Sequence, residues 1–311
     1  MTAASSILAT LPPSRPAAPT APHGRPRRRR FTPARVGVYA FLCVAAAFFL
    51  LPLYVMLVTS FKTMDEIRSS SIFALPWRPT FDAWVQAWSS ACTGLECRGV
   101  SVGFWNSVLI VVPSVVASIA VGAVNGYALS LWRPRYGNAL FAILMIGVFV
   151  PAQVVLVPLV RMLAGVGLFG SLPALVVVHT IFGMPIMTLL FRNYYGSLPD
   201  ELFKAARIDG GGFWRIFWSV MLPMSTPMLI VAAIMQVTGV WNDYLMGLIF
   251  GGSGMVPMTV QLNNIVNSTF GEKAYNVNMA ATLLTSAVPL LVYLVSGRWF
   301  VRGIASGAVK G

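Results

Sequence analysis

Charge is scarce in this sequence. Asp, Glu, Lys and Arg make up 10% of its 311 residues, against about 25% in an ordinary soluble domain. Acids are the scarcer sign, with 9 Asp and Glu facing 22 Lys and Arg, and there are only 2 histidines and 3 cysteines. His23 and His179 lie far apart, and neither an H-E-x-x-H pattern nor a paired-cysteine metal spacing occurs, so no motif offers a metal site. A phosphate-binding G-x-x-x-x-G-K-[ST] loop is missing as well: Lys62-Thr63 is the one Lys followed by Ser or Thr, and Phe61 precedes it. Without a nucleotide loop the chain cannot be a motor, and without a catalytic constellation it reads as a non-enzyme.

What the sequence has instead is apolar length. Hydrophobic residues are 57% of the chain, more than a soluble core of this size can hide, so the expected solvent is lipid. About 20 residues at a rise of about 1.5 Å each cross the hydrocarbon layer as a helix. Six runs qualify: Val36 to Ser60, Phe104 to Leu131, Ala139 to Leu163, Leu172 to Phe191, Leu222 to Phe250 and Met279 to Val301. The fold class is all-α, a polytopic membrane protein of six transmembrane helices. Pro52, Pro113, Pro151, Pro158, Pro185 and Pro289 fall inside these runs, where neighbouring helices can satisfy the carbonyls they free.

The formal net charge of +13 does not point to nucleic acid, because the arginines are placed for topology. Arg15, Arg25, Arg27, Arg28, Arg29 and Arg30 precede the first run, and with the N-terminus inside, 16 of the 22 Lys and Arg fall in cytoplasmic segments. Both termini are therefore expected in the cytoplasm. Residues 1–35 read as a disordered basic tail, retained rather than cleaved, since the following run is too long for a signal and no small-residue cleavage site follows it. Residues 36–302 form the membrane domain and 303–311 a small, flexible cytoplasmic tail. Cys92 and Cys97 lie in the outer loop from Phe61 to Gly103; facing an oxidising compartment they are either bridged or free thiols. His179 suits a packed helix position, although an ionisable group at membrane depth can also be functional.

The segment 192–221 is more than a connector. Pro199, Asp200 and Glu201 mark a helix start with acids at its positive end, Leu202, Phe203, Ala205, Ala206 and Ile208 continue an amphipathic turn, and Gly210, Gly211 and Gly212 stop it. Phe213, Trp214, Ile216, Phe217 and Val220 supply a second short helix. The pair makes an elbow on the inner membrane face, either a plain amphipathic anchor or a docking surface with small residues for close approach. The stretch Lys204-Ala205-Ala206-Arg207-Ile208-Asp209-Gly210, with Leu222-Pro223 and Pro227, resembles the EAA loop of binding-protein-dependent ABC importer permeases. Asn106-Ser107, Trp241-Asn242-Asp243-Tyr244 and the closing Gly307-Ala308-Val309-Lys310-Gly311 resemble the sugar branch, relatives of the maltose transporter's smaller channel subunit. One position departs from the motif: its leading Glu is Lys204 here, with Glu201 and Asp200 the nearest acids.

The resemblance implies a type I ABC importer permease fold in a bacterial inner membrane. It implies a coupling surface at Glu201, Lys204, Ala205, Ala206, Asp209 and Gly210, docked on an ATPase subunit. Partners implied are a second homologous permease chain, two ATP-binding subunits that hold ATP and Mg, and a periplasmic or lipid-anchored solute-binding protein; this chain itself needs no cofactor. The solute implied is a mono- or oligosaccharide, glucose-like by the cysteine-bearing first outer loop. Polar and aromatic candidates for its path are Gln153, Gln236, Trp241, Asn242, Asp243 and Tyr244, each of which can equally brace or cap a helix. The polar outer loop from Gly251 to Asn278 is expected to touch the binding protein, and the C-terminal tail to reach the ATPase. The alternatives are an ion-driven secondary transporter, for which Asp243 is the one acid within the runs, and an energy-independent channel subunit.

Overall fold

A computed structural model describes residues 33–93, 96–268 and 273–308, excepting the side chains from 298 onward. Two units divide it at Leu51. The described part of the first unit is the opening stretch of helix α1 (Pro33–Ser60), which begins on a proline suited to a first turn and carries exposed Phe41, Phe48 and Phe49. Such a surface needs lipid around it. Of the expected 1–35 tail, residues 1–32 lie outside the described residues, while 33–35 are already helical.

The second unit, from Pro52 onward, holds the remaining elements. After α2 (Met64–Ser69), α3 (Asp82–Ser89) and a short hairpin pairing Cys92–Thr93 (β1) with Glu96–Cys97 (β2) come the long α4 (Ser101–Tyr127) and a π turn, Ala128–Trp132. Helices α5 (Gly137–Phe149), α6 (Ala152–Gly165) and α7 (Leu172–Ser197) follow, then α8 (Asp200–Ile208), α9 (Phe213–Ile216), a second π turn Phe217–Met221, and α10 (Leu222–Met224). The chain closes with α11 (Thr226–Asn242), α12 (Leu245–Phe250), α13 (Met258–Val266) and α14 (Tyr275–Ala308).

Among the described residues four helices are long and apolar enough to cross a membrane by themselves, and two bent pairs bring the number to six where each pair counts as one span. The bends correct the expectation of six uninterrupted runs. The third run breaks by 105° between Phe149 and Ala152, because Pro151 holds Val150 in an extended conformation (φ −75°, ψ 121°). Pro52, Pro113, Pro158, Pro185 and Pro289 are carried inside helices. The fifth run turns by 78° at Ser225 and ends at Asn242, where Asp243 becomes extended. The last helix is longer than expected: it runs through Gly303 and Gly307 to Ala308, so residues 303–308 are helical. Continuing a helix costs only about 1 kcal/mol per glycine, less than starting a new one.

Helices α4 and α7 pack through small residues. An added Cβ at Gly122 would overlap Met187, and one at Gly126 would overlap Phe191 and the Arg192 nitrogen, so the two backbones approach as close as glycine allows. This rigid pair carries both regions considered next.

Candidate functional site

The elbow begins where α7 must stop, since Leu198 precedes Pro199 and is extended (φ −74°, ψ 149°). Helix α8 follows with Asp200 and Glu201 in its first turn and Arg207 in its last, both favourable against the helix dipole. It ends at Gly210, whose φ of +77° is the left-handed region that glycine takes without strain. Gly210 N–H donates to Arg207 C=O at 3.1 Å and Gly211 N–H to Ala206 C=O at 3.0 Å. A Cβ on Gly211 would press on that same Ala206 oxygen at 2.6 Å, which keeps the turn tight.

One face of the elbow is anchored. Phe203 is buried, Ala206 half-buried, and both pack on an aromatic cluster. Tyr127 at the end of α4 lies 4.8 Å from the Phe213 ring and 5.5 Å from Phe217, while Trp132 lies 5.7 Å from Phe203. The Tyr127 hydroxyl donates to Phe213 C=O at 3.2 Å, and Arg207 stacks 5.0 Å from the Trp132 ring. Ser225 Oγ, at the bend of the fifth span, donates to Tyr195 Oη at 2.9 Å. The other face is open: Glu201, Lys204, Ala205, Asp209 and Gly210 are exposed, as are Leu202 and, at 86%, Ile208. Of the six residues expected at a coupling surface, Ala206 alone turns inward.

The expected path residues divide differently. Gln236 is buried, with Nε2 donating to Ser118 Oγ at 3.0 Å. Trp241 is buried, with Nε1 donating to Thr285 C=O at 3.0 Å. Asp243 Oδ2 accepts from Gly247 N–H at 3.1 Å and lies 4.0 Å from His179 Nε2, and its carbonyl accepts from Thr259 Oγ1 at 2.6 Å. Tyr244 Oη donates to Asn263 Oδ1 at 3.3 Å. The void beside Asp243 and His179 measures about 10 Å³, enough for one water at most and far too small for a sugar. Gln236, Trp241 and Asp243 therefore brace or cap helices in this conformation. Gln153, Asn242 and Tyr244 remain exposed. Among the described residues no three of His, Cys, Asp and Glu gather as a metal site.

The end of the bundle that carries the segment expected outside is more ordered than a polar loop suggests. Cys92 and Cys97 form a disulfide. Residues Met258–Val266 of the loop from Gly251 onward form helix α13, held by Asn106 Nδ2 donating to Val256 C=O at 3.0 Å and by Ser107 Oγ accepting from Met258 N–H at 2.8 Å. Gln261 is buried and donates to Gly99 C=O at 2.7 Å, and Asn276 donates to Lys62 C=O at 3.0 Å. The clamp made by Asn106 and Ser107 has no local signal in the sequence, because its partners lie 150 and 151 positions away. Asn264 and Asn267 keep exposed polar surface, while residues 269–272 fall outside the described residues.

The model of one protein family, described as "Binding-protein-dependent transport system inner membrane component", matches residues 114–306. A "Probable ABC transporter permease protein" of Pyrococcus horikoshii is 35% identical over 285 residues, covering 91% of this chain and all of its own length. The alpha-glucoside transport system permease protein AglG of Rhizobium meliloti is 35% identical over 265 residues, covering 82% of this chain and 67% of its own. A chain of a bacterial ABC transporter involved in the import of the acidic polysaccharide alginate has the same fold, with a TM-score of 0.74 at 19% identity over 87% of this chain and 99% of that one.

Proposed function

The chain belongs to the family of binding-protein-dependent transport system inner membrane components, an ABC transporter permease family, and on that premise we propose that it forms half of the pore of an ATP-driven carbohydrate importer. A second, similar permease completes the pore, two ATP-binding subunits hold ATP and Mg and carry out hydrolysis, and a periplasmic or lipid-anchored binding protein delivers the solute. Both termini lie in the cytoplasm, as the Lys and Arg distribution favours. An alpha-glucoside permease among the relatives supports a sugar as solute, glucose-like or a short glucoside.

The observation that carries this reading is the outward face of the elbow. Ile208 is 86% exposed beside Leu202 and Ala205, an apolar patch rimmed by Glu201, Lys204 and Asp209, while Phe203 locks the opposite face into the bundle. Apolar side chains on a braced helix are what a groove in a partner can grip. Movement of a docked partner passes through α8 to the aromatic cluster and from there to α4, α7 and the bend at Ser225, so that rigid tilting of these spans opens one side of the pore and closes the other. Of the path candidates, Gln153, Asn242 and Tyr244 are the side chains with surface to offer a solute.

The test is copurification of the tagged chain from membranes with ATPase assay, comparing wild type with Ile208→Asp. Ile208 contributes little to the chain's own core, so the variant should assemble in the membrane yet lose its ATPase subunit. Retention of a fully coupled ATPase by the variant would remove the elbow from the interface.

A further inference from the structure

Where the π turn after α4 meets α5 and the end of α7, a pocket of about 680 Å³ opens to the surface. Arg133, Arg135 and Arg192 line it with Ser130, Asn138 and Asn193, and no Asp or Glu is among its lining residues. Orientation in the membrane needs positive charge near a span end; it does not require Arg192 from α7 to converge with two arginines some sixty positions earlier. Arg192 is held in place, with Nη2 donating to Asn138 Oδ1 at 3.2 Å and its guanidinium 3.9 Å from the Phe141 ring centre. Arg133 sits at φ 47°, ψ 59°, the one non-glycine residue at positive φ among the described residues. Glycine would occupy that position with less strain, and Arg133 Nε donates to Ser130 C=O at 3.1 Å, which holds the guanidinium at the pocket.

Below this cationic pocket the same helix pair is apolar. Leu140, Ile143 and Ile146 on α5 are exposed, and a cleft of about 610 Å³ is lined by Ile143 and Val148 from α5 and Ile181 and Pro185 from α7. Tyr136, exposed next to Arg135 with that guanidinium 5.4 Å from its ring, has the amphipathic character of an interfacial aromatic. Charge at one end and an apolar trough along the same seam match one molecule: a phosphate group carrying acyl chains. We propose that this seam is a binding site for an anionic phospholipid, its phosphoryl headgroup held by Arg133, Arg135 and Arg192 and its chains laid along α5 and α7. The proposal is independent of the solute and of the elbow's partner.

The test uses the full chain, purified with whatever subunits accompany it, and native mass spectrometry with three probes: dioctanoyl phosphatidylglycerol, dioctanoyl phosphatidylcholine and inorganic phosphate. Phosphatidylglycerol should bind in preference to phosphatidylcholine, and equimolar phosphate should not displace it. Arg133→Gly, which eases the left-handed backbone while deleting the guanidinium, and Arg192→Gln, which keeps an amide able to reach Asn138, should each weaken phosphatidylglycerol binding about tenfold, the loss of roughly one charge-assisted hydrogen bond. Equal binding of the two lipids, or unchanged binding in both variants, overturns the proposal. Displacement by phosphate alone reassigns the pocket to a free anion. A lipid adduct seen on the lone chain and absent from the assembled complex gives the pocket to a protein partner, and either result also overturns it.

Discussion

Gln236 reaches from α11 to α4, its Nε2 donating to Ser118 Oγ at 3.0 Å, and it does so against Gly183 of α7, where an added Cβ would overlap the amide. Three spans meet at that one side chain. Gln236→Leu deletes a buried donor and leaves Ser118 short of a partner, at a cost of about 1–3 kcal/mol. Gly183→Ala should destabilise by a different route, forcing the amide out of its position. Both variants should lower the thermal midpoint of the purified protein while the KM for solute stays near wild type. A raised KM with unchanged midpoint would return Gln236 to the solute path.

Tyr127 joins the bundle to the elbow through its hydroxyl bond to Phe213 C=O and its ring contacts with Phe213 and Phe217. Tyr127→Phe removes one hydrogen bond, worth about 1 kcal/mol, and leaves the outward face of α8 untouched. The ATPase subunit should still copurify, but stimulation of ATP hydrolysis by loaded binding protein should fall. Comparison with Ile208→Asp separates docking from transmission: the surface variant loses the partner, the anchor variant keeps it and loses coupling.

The apolar runs announced six crossings by length alone, but not their shape. Pro113 and Pro151 look alike in sequence; α4 continues through the first, while the second divides α5 from α6. Which outcome holds depends on packing against other spans, and that is not local information. The elbow shows the same limit. Phe203 with Ala206, and Leu202 with Ala205 and Ile208, are both helical spacings, so the pattern specifies a helix without saying which apolar set belongs inside. The aromatic cluster decides it, and its members Tyr127 and Trp132 are distant in sequence from α8. At Trp241 and Asp243 the chemistry allowed both sugar contact and bracing; only the Thr285 and Gly247 partners distinguish them.

Cys92 and Cys97 close a loop of sequence separation 5 between α3 and α4. A loop that short restrains little of the unfolded chain, about 2 kcal/mol on chain-entropy grounds. Intact protein alkylated under denaturing conditions should take up two more labels with reductant than without it, as read by mass. Cys92→Ser should abolish that difference and lower the thermal midpoint modestly. Equal labelling in both states would mean free thiols in the cell.

Lys62 is 1% exposed, with Nζ donating to Ser70 Oγ at 3.1 Å and to Ser71 C=O at 2.9 Å. Its own carbonyl accepts from Asn276 Nδ2 at 3.0 Å, so one residue ties the end of α1 to the end of α2 and to the start of α14. The two ties are chemically separate, one through the side chain and one through the main chain. Lys62→Met keeps the length of the apolar stem but deletes both Nζ bonds, to Ser70 Oγ and to a Ser71 carbonyl that keeps only Ala74 N–H, and should cost about 1–3 kcal/mol. Asn276→Ala removes only the bond to the main chain and should cost about 1 kcal/mol. Because the carbonyl survives in Lys62→Met, the double variant should lose close to the sum, within about 0.5 kcal/mol, in denaturation of the purified protein. A double variant no worse than Lys62→Met alone would mean that burial of the ammonium group holds the carbonyl in place, making the two ties a single network.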